Sequence, residues 1–131
     1  MTVWIGVPHS ASQINVAAQL ADDSSVLAYY RALIDARHRI GAATDGGFTR
    51  LDMGDPALFF YLREHEGSSI LVATNLSSRA LTPSPRGGHE AACALPWRLY
   101  LANTRGSGVA SENAPTPVDP ASPMGPWEAR V

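Results

Sequence analysis

Neither sign of charge dominates this sequence. Ten basic residues stand against twelve acidic ones, for a formal net charge of −2. That balance removes the electrostatic reason to expect nucleic acid or an anionic membrane as partner, because both require a clustered basic excess. Lysine is missing altogether, every basic residue being arginine; a biased base composition produces that as easily as selection does, so no mechanism is attached to it. Cysteine is nearly missing. Cys93 stands alone, which excludes an intrachain disulfide and a thiolate metal cluster, gives no sign of an oxidising compartment, and reads as a buried structural thiol rather than a nucleophile. No run of about 18 apolar residues occurs, and the opening MTVWIGVPHS lacks a basic segment followed by an apolar one. A soluble, cytoplasmic chain is expected. Without an export signal, the sequon Asn75-Leu76-Ser77 reads as a chance match.

What is present suits a globular domain. Hydrophobic residues make up 45% and charged residues 17% of 131, and a chain this long buries roughly 68% of its unfolded surface. From Ser24 to about Arg39 the residues Val26, Leu27, Tyr30, Leu33 and Ile34 recur at helical spacing. Asp22 and Asp23 are placed to cap that helix, Arg37, His38 and Arg39 to meet its C-terminal carbonyls, and Gly41 to end it in a left-handed turn. The segment before it, residues 1 to 21, reads as a short apolar stretch at Val3 to Val7 and then a polar loop.

After Gly46-Gly47 the period changes to two. Leu58, Phe60 and Leu62 alternate with Phe59, Tyr61 and Arg63; Gly67 supplies a turn; Ser69 to Leu76 forms the returning strand of a hairpin. Further strands are predicted at 48–53, 80–82, 91–95, 97–102 and 127–131, which together suggest an antiparallel sandwich. Residues 104 to 125, rich in Pro, Gly, Ser and Ala, form a loop that is mobile or hides an element. One helix ahead of such a sheet has no second layer of its own to bury against.

Glycoside chemistry uses two carboxyl groups flanking one bond, and the candidate pairs each have a simpler reading. Asp22 and Asp23 cap a helix, Asp52 and Asp55 bracket a turn, and Glu64 and Glu66 sit at a hairpin tip. The four histidines, His9, His38, His65 and His89, are scattered without metal-ligand spacing. No metal and no cofactor are expected. Gly-x-Ser-x-Gly is lacking, and Gly106-Ser107-Gly108 lies in a loop without the strand and helix of a phosphate cradle. Trp4, Trp97 and Trp127 could stack on sugar rings, but each lies in an apolar run, where core packing is the stronger expectation.

Five segments carry a resemblance. They are Trp4-Ile5-Gly6-Val7, the run from Gln13 through Asp22-Asp23 to Ile34, Asp55 through Arg63, Ile70 to Leu76, and the ending Pro126-Trp127-Glu128-Ala129-Arg130-Val131. In order and spacing this resembles the C-terminal end of glycoside hydrolase family thirteen alpha-glucosidases, oligo-1,6-glucosidases and related trehalose-acting enzymes. The resemblance implies that residues 1–41 are the last loop and helix of a (β/α)8 barrel, and that 42–131 are the antiparallel β-sandwich that follows it. It also implies that the helix face of Tyr30, Leu33 and Ile34 buries against the barrel. The family's catalytic Asp, Glu and Asp come from barrel loops that would precede Met1, so no position here matches them and no catalytic residue is carried over. Trp4-Ile5-Gly6-Val7-Pro8-His9-Ser10 departs from the family's Trp-Leu-Pro-Val-Asn-Pro-Asn, so no substrate contact is carried over there either.

The expectation is therefore a non-catalytic C-terminal part of an alpha-glucosidase-like enzyme that stabilises the catalytic barrel. Its expected partners are a separately encoded barrel or a second copy through the 24–39 helix. The alternatives are a free-standing β-sandwich module that binds carbohydrate or protein, and a truncated remnant without function.

Overall fold

A computed structural model describes residues 6, 8–104 and 116–131. The expectations for Trp4 and the Val3–Val7 stretch, and for Gly106-Ser107-Gly108, lie outside the described residues. Among the described residues no helix is long and apolar enough to cross a membrane.

The N-terminal region is more helical than its polar sequence suggested. A single 3-10 turn at His9–Ser12 leads to α1, Val16–Leu20, capped by Asn15, whose Oδ1 accepts from the Ala18 N–H at 2.9 Å. Then comes α2, Val26–Arg39. Its N-cap is Ser25 and not Asp22 or Asp23: Ser25 Oγ accepts from the Ala28 N–H at 3.1 Å, and Gln19 Oε1 takes the Leu27 N–H at 3.0 Å. Asp22 is occupied one step earlier, its Oδ1 accepting from both the N–H and the hydroxyl of Ser24. The expected stop at Gly41 is also replaced. Ile40 adopts an extended conformation, φ −101°, and Gly41 opens α3, Gly41–Asp45, so no left-handed residue is needed. The Thr44 hydroxyl donates to the Arg37 carbonyl at 2.8 Å, satisfying an acceptor that the end of α2 would leave open.

The sheet follows as β1 (Gly47–Leu51), β2 (Leu58–His65) and β3 (Ser68–Asn75), with β6 (Ala129–Arg130) returning beside β3. Its order is β1-β2-β3-β6, antiparallel throughout. Glu66 and Gly67 join β2 to β3 with φ of 47° and 80°. Two consecutive positive values make this the tight turn whose twist matches the strands it joins. The period-two pattern then does its work: Leu58, Phe60 and Leu62 with Leu71 and Ala73 form the buried face, joined by Leu51, Met53, Cys93 and Met124.

The covering layer includes Leu81, Ala92, Cys93, Trp97 and Met124. Here α4 (Glu90–Cys93) stands where a strand at 91–95 was predicted. The run Glu-Ala-Ala-Cys contains no β-branched residue and two of the best helix formers. The small second sheet pairs β4, Arg98–Leu99, with β5, Thr116–Pro117. It places an element inside the supposed 104–125 loop. The other predicted strands shrink to local pairing: Leu81 with Met124, Ala102 with Arg130, and β6 itself. The architecture is thus mainly antiparallel β with few helices, as expected. Asn75 is fully buried and donates to the carbonyls of Arg79 (2.7 Å) and Gly125 (2.8 Å), so its amide holds the fold rather than offering a glycan site.

Candidate functional site

Among the described residues the carboxylates do not assemble into a catalytic pair. Asp22 lies at the α2 entry, its pKa held low by the Ser24 hydroxyl first and the Ser24 amide second. Asp23 is exposed beside it. Glu64 and Glu66 are exposed at the hairpin end, Glu66 3.9 Å from His65 Nε2. Asp52 and Asp55 come nearest to a site. They line an open cleft of about 500 Å3 together with Arg50, Arg86 and His89. Each nevertheless turns Oδ1 onto a nearby backbone amide, Gly54 for Asp52 and Ala57 for Asp55, both at 2.9 Å. Those are the bonds of turn-forming Asp residues. Gly54 sits at φ 84°, and a Cβ there would stand 3.0 Å from Arg86 Nε.

His9, His38, His65 and His89 lie on separate elements, and among the described residues no group of three or more His, Cys, Asp or Glu could hold a metal ion. Cys93 is buried. Burial first, then the charges of Asp119 and Glu90, push its thiol pKa up, away from nucleophilic character. Trp97 packs against the core, as expected, and its Nε1–H donates to the Ala92 carbonyl at 2.8 Å. Trp127 does not. It has φ 57° and is 60% exposed, because Glu128 takes the adjacent inward position.

Among the described residues Glu128 is a buried carboxylate whose pKa is shifted. Burial raises its pKa, but the bond from Arg130 (2.7 Å), the Gly125 amide (2.7 Å) and the Arg130 charge outweigh that and hold it below the ordinary range. Arg130 also donates to Ser122 Oγ and the Pro123 carbonyl. The cluster is fully engaged in joining β6 to the 122–125 turn, so it is structural.

What remains open is apolar. On α2, Val26 (67% exposed), Tyr30 (60%) and Ile34 (54%) form one line at four-residue spacing, and Ile14, Val16 and Leu20 of the preceding segment are exposed too. The other side of the helix turns inward: Tyr29, Ala32 and Leu33 are half-buried and Ala36 is buried. Leu33 therefore leaves the outward set to which the pattern assigned it. A second exposed apolar feature went unseen in the sequence. Phe48 of β1 lies 5.1 Å, ring centre to ring centre, from Tyr61, which lies 5.7 Å from Phe59, and the Arg50 guanidinium covers the Phe59 ring. The only signal for it is the period-two placement of Phe59 and Tyr61 with an aromatic on the neighbouring strand.

No protein-family profile matches the chain. Individual proteins do. It is 34% identical over 110 residues to oligo-1,6-glucosidase from Heyndrickxia coagulans, a match covering 84% of this chain and 19% of the relative. It is 39% identical over 100 residues to trehalose-6-phosphate hydrolase from Escherichia coli strain K12, covering 76% and 17%. In structure it is similar to an isomaltulose synthase variant from Erwinia rhapontici NX5 solved with D-glucose, with a TM-score of 0.74 at 25% identity over 98% of this chain and 21% of that one. A trehalose-6-phosphate hydrolase from Bacillus licheniformis gives a TM-score of 0.72 at 19% identity, over 98% and 22%. The chain spans about a fifth of the length of these relatives, and the matches fall in their C-terminal parts.

Proposed function

This chain belongs to glycoside hydrolase family thirteen as a counterpart of its C-terminal part, and on that premise we propose that it performs no chemistry itself and completes and stabilises an alpha-glucosidase-type catalytic barrel. In this reading residues 1–41 are the barrel's last loop and helix, and 42–131 are the β-sandwich that follows. The observation that carries it is the uncovered line Val26, Tyr30, Ile34 on α2. Fully burying a Val, Ile or aromatic side chain contributes roughly 1.5–3 kcal/mol; about three-fifths of each of these three is still exposed, so a surface that covers them gains roughly 3–5 kcal/mol, near the low end of a domain's net stability. A barrel supplies such a surface, and its substrates would be alpha-glucosidic bonds of small oligosaccharides.

The test is reconstitution. A Heyndrickxia coagulans oligo-1,6-glucosidase shortened to remove the part matched here is co-expressed with this chain carrying an affinity tag. The reading expects co-purification and recovered isomaltose hydrolysis, both lost with Tyr30→Glu and Ile34→Glu. Absence of any complex with a soluble, folded shortened barrel contradicts it. The exposed Phe48–Tyr61 pair favours a second reading, a module that stacks a sugar ring on the sheet. Shifts confined to Phe48, Phe59 and Tyr61 in an NMR titration with maltose or isomaltose would support that reading instead.

A further inference from the structure

Two loops meet at the end of the sheet where β1 hands over to β2. The Ser84 N–H donates to the Met53 carbonyl at 3.0 Å and the Arg86 N–H to the Asp52 carbonyl at 2.9 Å, so the 84–89 loop is held along the 52–57 connection by backbone bonds. That loop then turns on Gly87 and Gly88, with φ of 66° and 88°, and closes with the His89 N–H on the Arg86 carbonyl at 3.3 Å. Residues 86 and 89 flank the turn and lie side by side. Gly54, at φ 84°, leaves the room that Arg86 occupies, since a Cβ there would stand 3.0 Å from Arg86 Nε.

The cleft of about 500 Å3 at this junction gathers two guanidinium groups, Arg50 and Arg86, two carboxylates, Asp52 and Asp55, and the His89 imidazole. Among the described residues neither guanidinium forms an ion pair with either carboxylate. Arg50 lies over the Phe59 ring, 5.8 Å from its centre, and the Arg86 side chain has no hydrogen-bond partner among the described residues. Each Asp spends Oδ1 on its own turn. Among the described residues no hydrogen bond reaches Asp52 Oδ2, and Asp55 Oδ2 stands 3.9 Å from Arg79 Nη2, too far for one. Strong donors and acceptors therefore share one cleft without satisfying each other.

We propose that this cleft binds a neutral polyhydroxylated ligand of the size of a mono- or disaccharide. The balance of charge decides the class. An anion would meet two carboxylates along with the two guanidinium groups, and a cation the reverse, so neither gains from the cleft as a whole. Neighbouring hydroxyls suit both kinds of group at once, donating to a carboxylate oxygen and accepting from a guanidinium N–H, and hydrogen bonds to charged groups are the stronger ones. Pro56, Met53 and Leu58 add apolar lining for the C–H face of a ring. With one oxygen of each Asp tied to its turn, the pair binds hydroxyls and performs no chemistry on them. The lining includes no residue of α2, so the site does not depend on what covers that helix.

The test is an NMR titration of the full chain with maltose, read on the backbone amides. Saturable shifts should centre on Gly54, Gly87, Gly88 and His89 at millimolar sugar. Arg86→Met keeps the stem of the side chain and removes the donors; Asp52→Asn keeps an oxygen for the Gly54 N–H and removes the charge. Each should weaken binding about fivefold or more, with amides away from the cleft unmoved, while Phe48→Ala on the sheet face should leave the affinity as it was. Glycine and inorganic phosphate, a zwitterion and an anion, should not move these amides. Amides that stay in place with maltose, an equal response to glycine or phosphate, shifts confined to Phe48, Phe59 and Tyr61, or an affinity that falls with Phe48→Ala and not with the two cleft variants would each overturn the proposal.

Discussion

Arg63, on β2 between β1 and β3, donates twice to the carbonyl of Gly46, through Nε at 3.2 Å and Nη2 at 2.7 Å. The same guanidinium bonds the carbonyls of Ala43 and Thr44. One side chain thus satisfies the acceptors that the short helix α3 leaves open at its end, and ties the N-terminal helices to the sheet. Gly46 is fitted to this junction, since a Cβ there would collide with the Ala42 carbonyl.

Replacing Arg63 with Met keeps the stem of the side chain and removes the donors. Hydrogen bonds to a charged group are worth about 1.5–3 kcal/mol, so the urea midpoint should fall accordingly, with faster amide exchange in residues 41–46 before the β2–β3 hairpin opens. An unchanged midpoint would show that α3 is held by packing alone.

Asn75→Ala should cost about 1–3 kcal/mol, because the carbonyls of Arg79 and Gly125 lose a buried donor. Chemical denaturation checks this. The loss should exceed that of a control such as Asn103→Ala, whose bonds to Trp127 and Ala129 are exposed to water.

Acid should weaken the fold through Glu128. Its folded pKa lies below the ordinary value of 4.5, so the unfolded state binds more protons; the stabilisation is fully present above about pH 4.5 and is lost as pH falls through the folded pKa. Glu128→Gln should cost about 1.5–3 kcal/mol at neutral pH and flatten the acid limb of a plot of stability against pH. The same limb in both proteins would contradict the assignment.

The hairpin was legible because two short apolar runs, 58–62 and 70–73, flank a polar stretch that holds Gly67 for a turn. The existence of α2 was legible from its apolar spacing, but its ends were not. Asp22-Asp23-Ser24-Ser25 offers four capping residues in a row, and the choice of Ser25 rests on Gln19 reaching across from α1. Periodicity also cannot say which arc of an apolar stripe meets its own domain, so Leu33 and Ile34 read alike while the fold separates them. α4 is too short to show a period. β5 exists only because Thr116–Pro117 meets Arg98–Leu99, a contact between distant segments that no local signal announces. The Asp52 and Asp55 cleft was half-visible: the pair is three residues apart in sequence, while Arg86 and His89 join it through the fold.

No hydrolysis of p-nitrophenyl alpha-glucoside, maltose, isomaltose or trehalose is expected from the chain alone, since Asp52 and Asp55 spend an oxygen each on their own turns. Turnover that survives removal of host enzymes and disappears with Asp52→Asn or Asp55→Asn would overturn this.

The account rests most directly on the open face of α2, and sedimentation velocity across a concentration series reads it in one measurement. The chain should associate as concentration rises, and the triple variant Val26→Glu, Tyr30→Glu, Ile34→Glu should remain monomeric with its sheet intact by circular dichroism, because contiguous exposed apolar surface of this kind drives contact. A natural chain that stays monomeric at every concentration, with α2 amides as well protected as those of β2 and β3, would contradict the claim that this face was built to be covered.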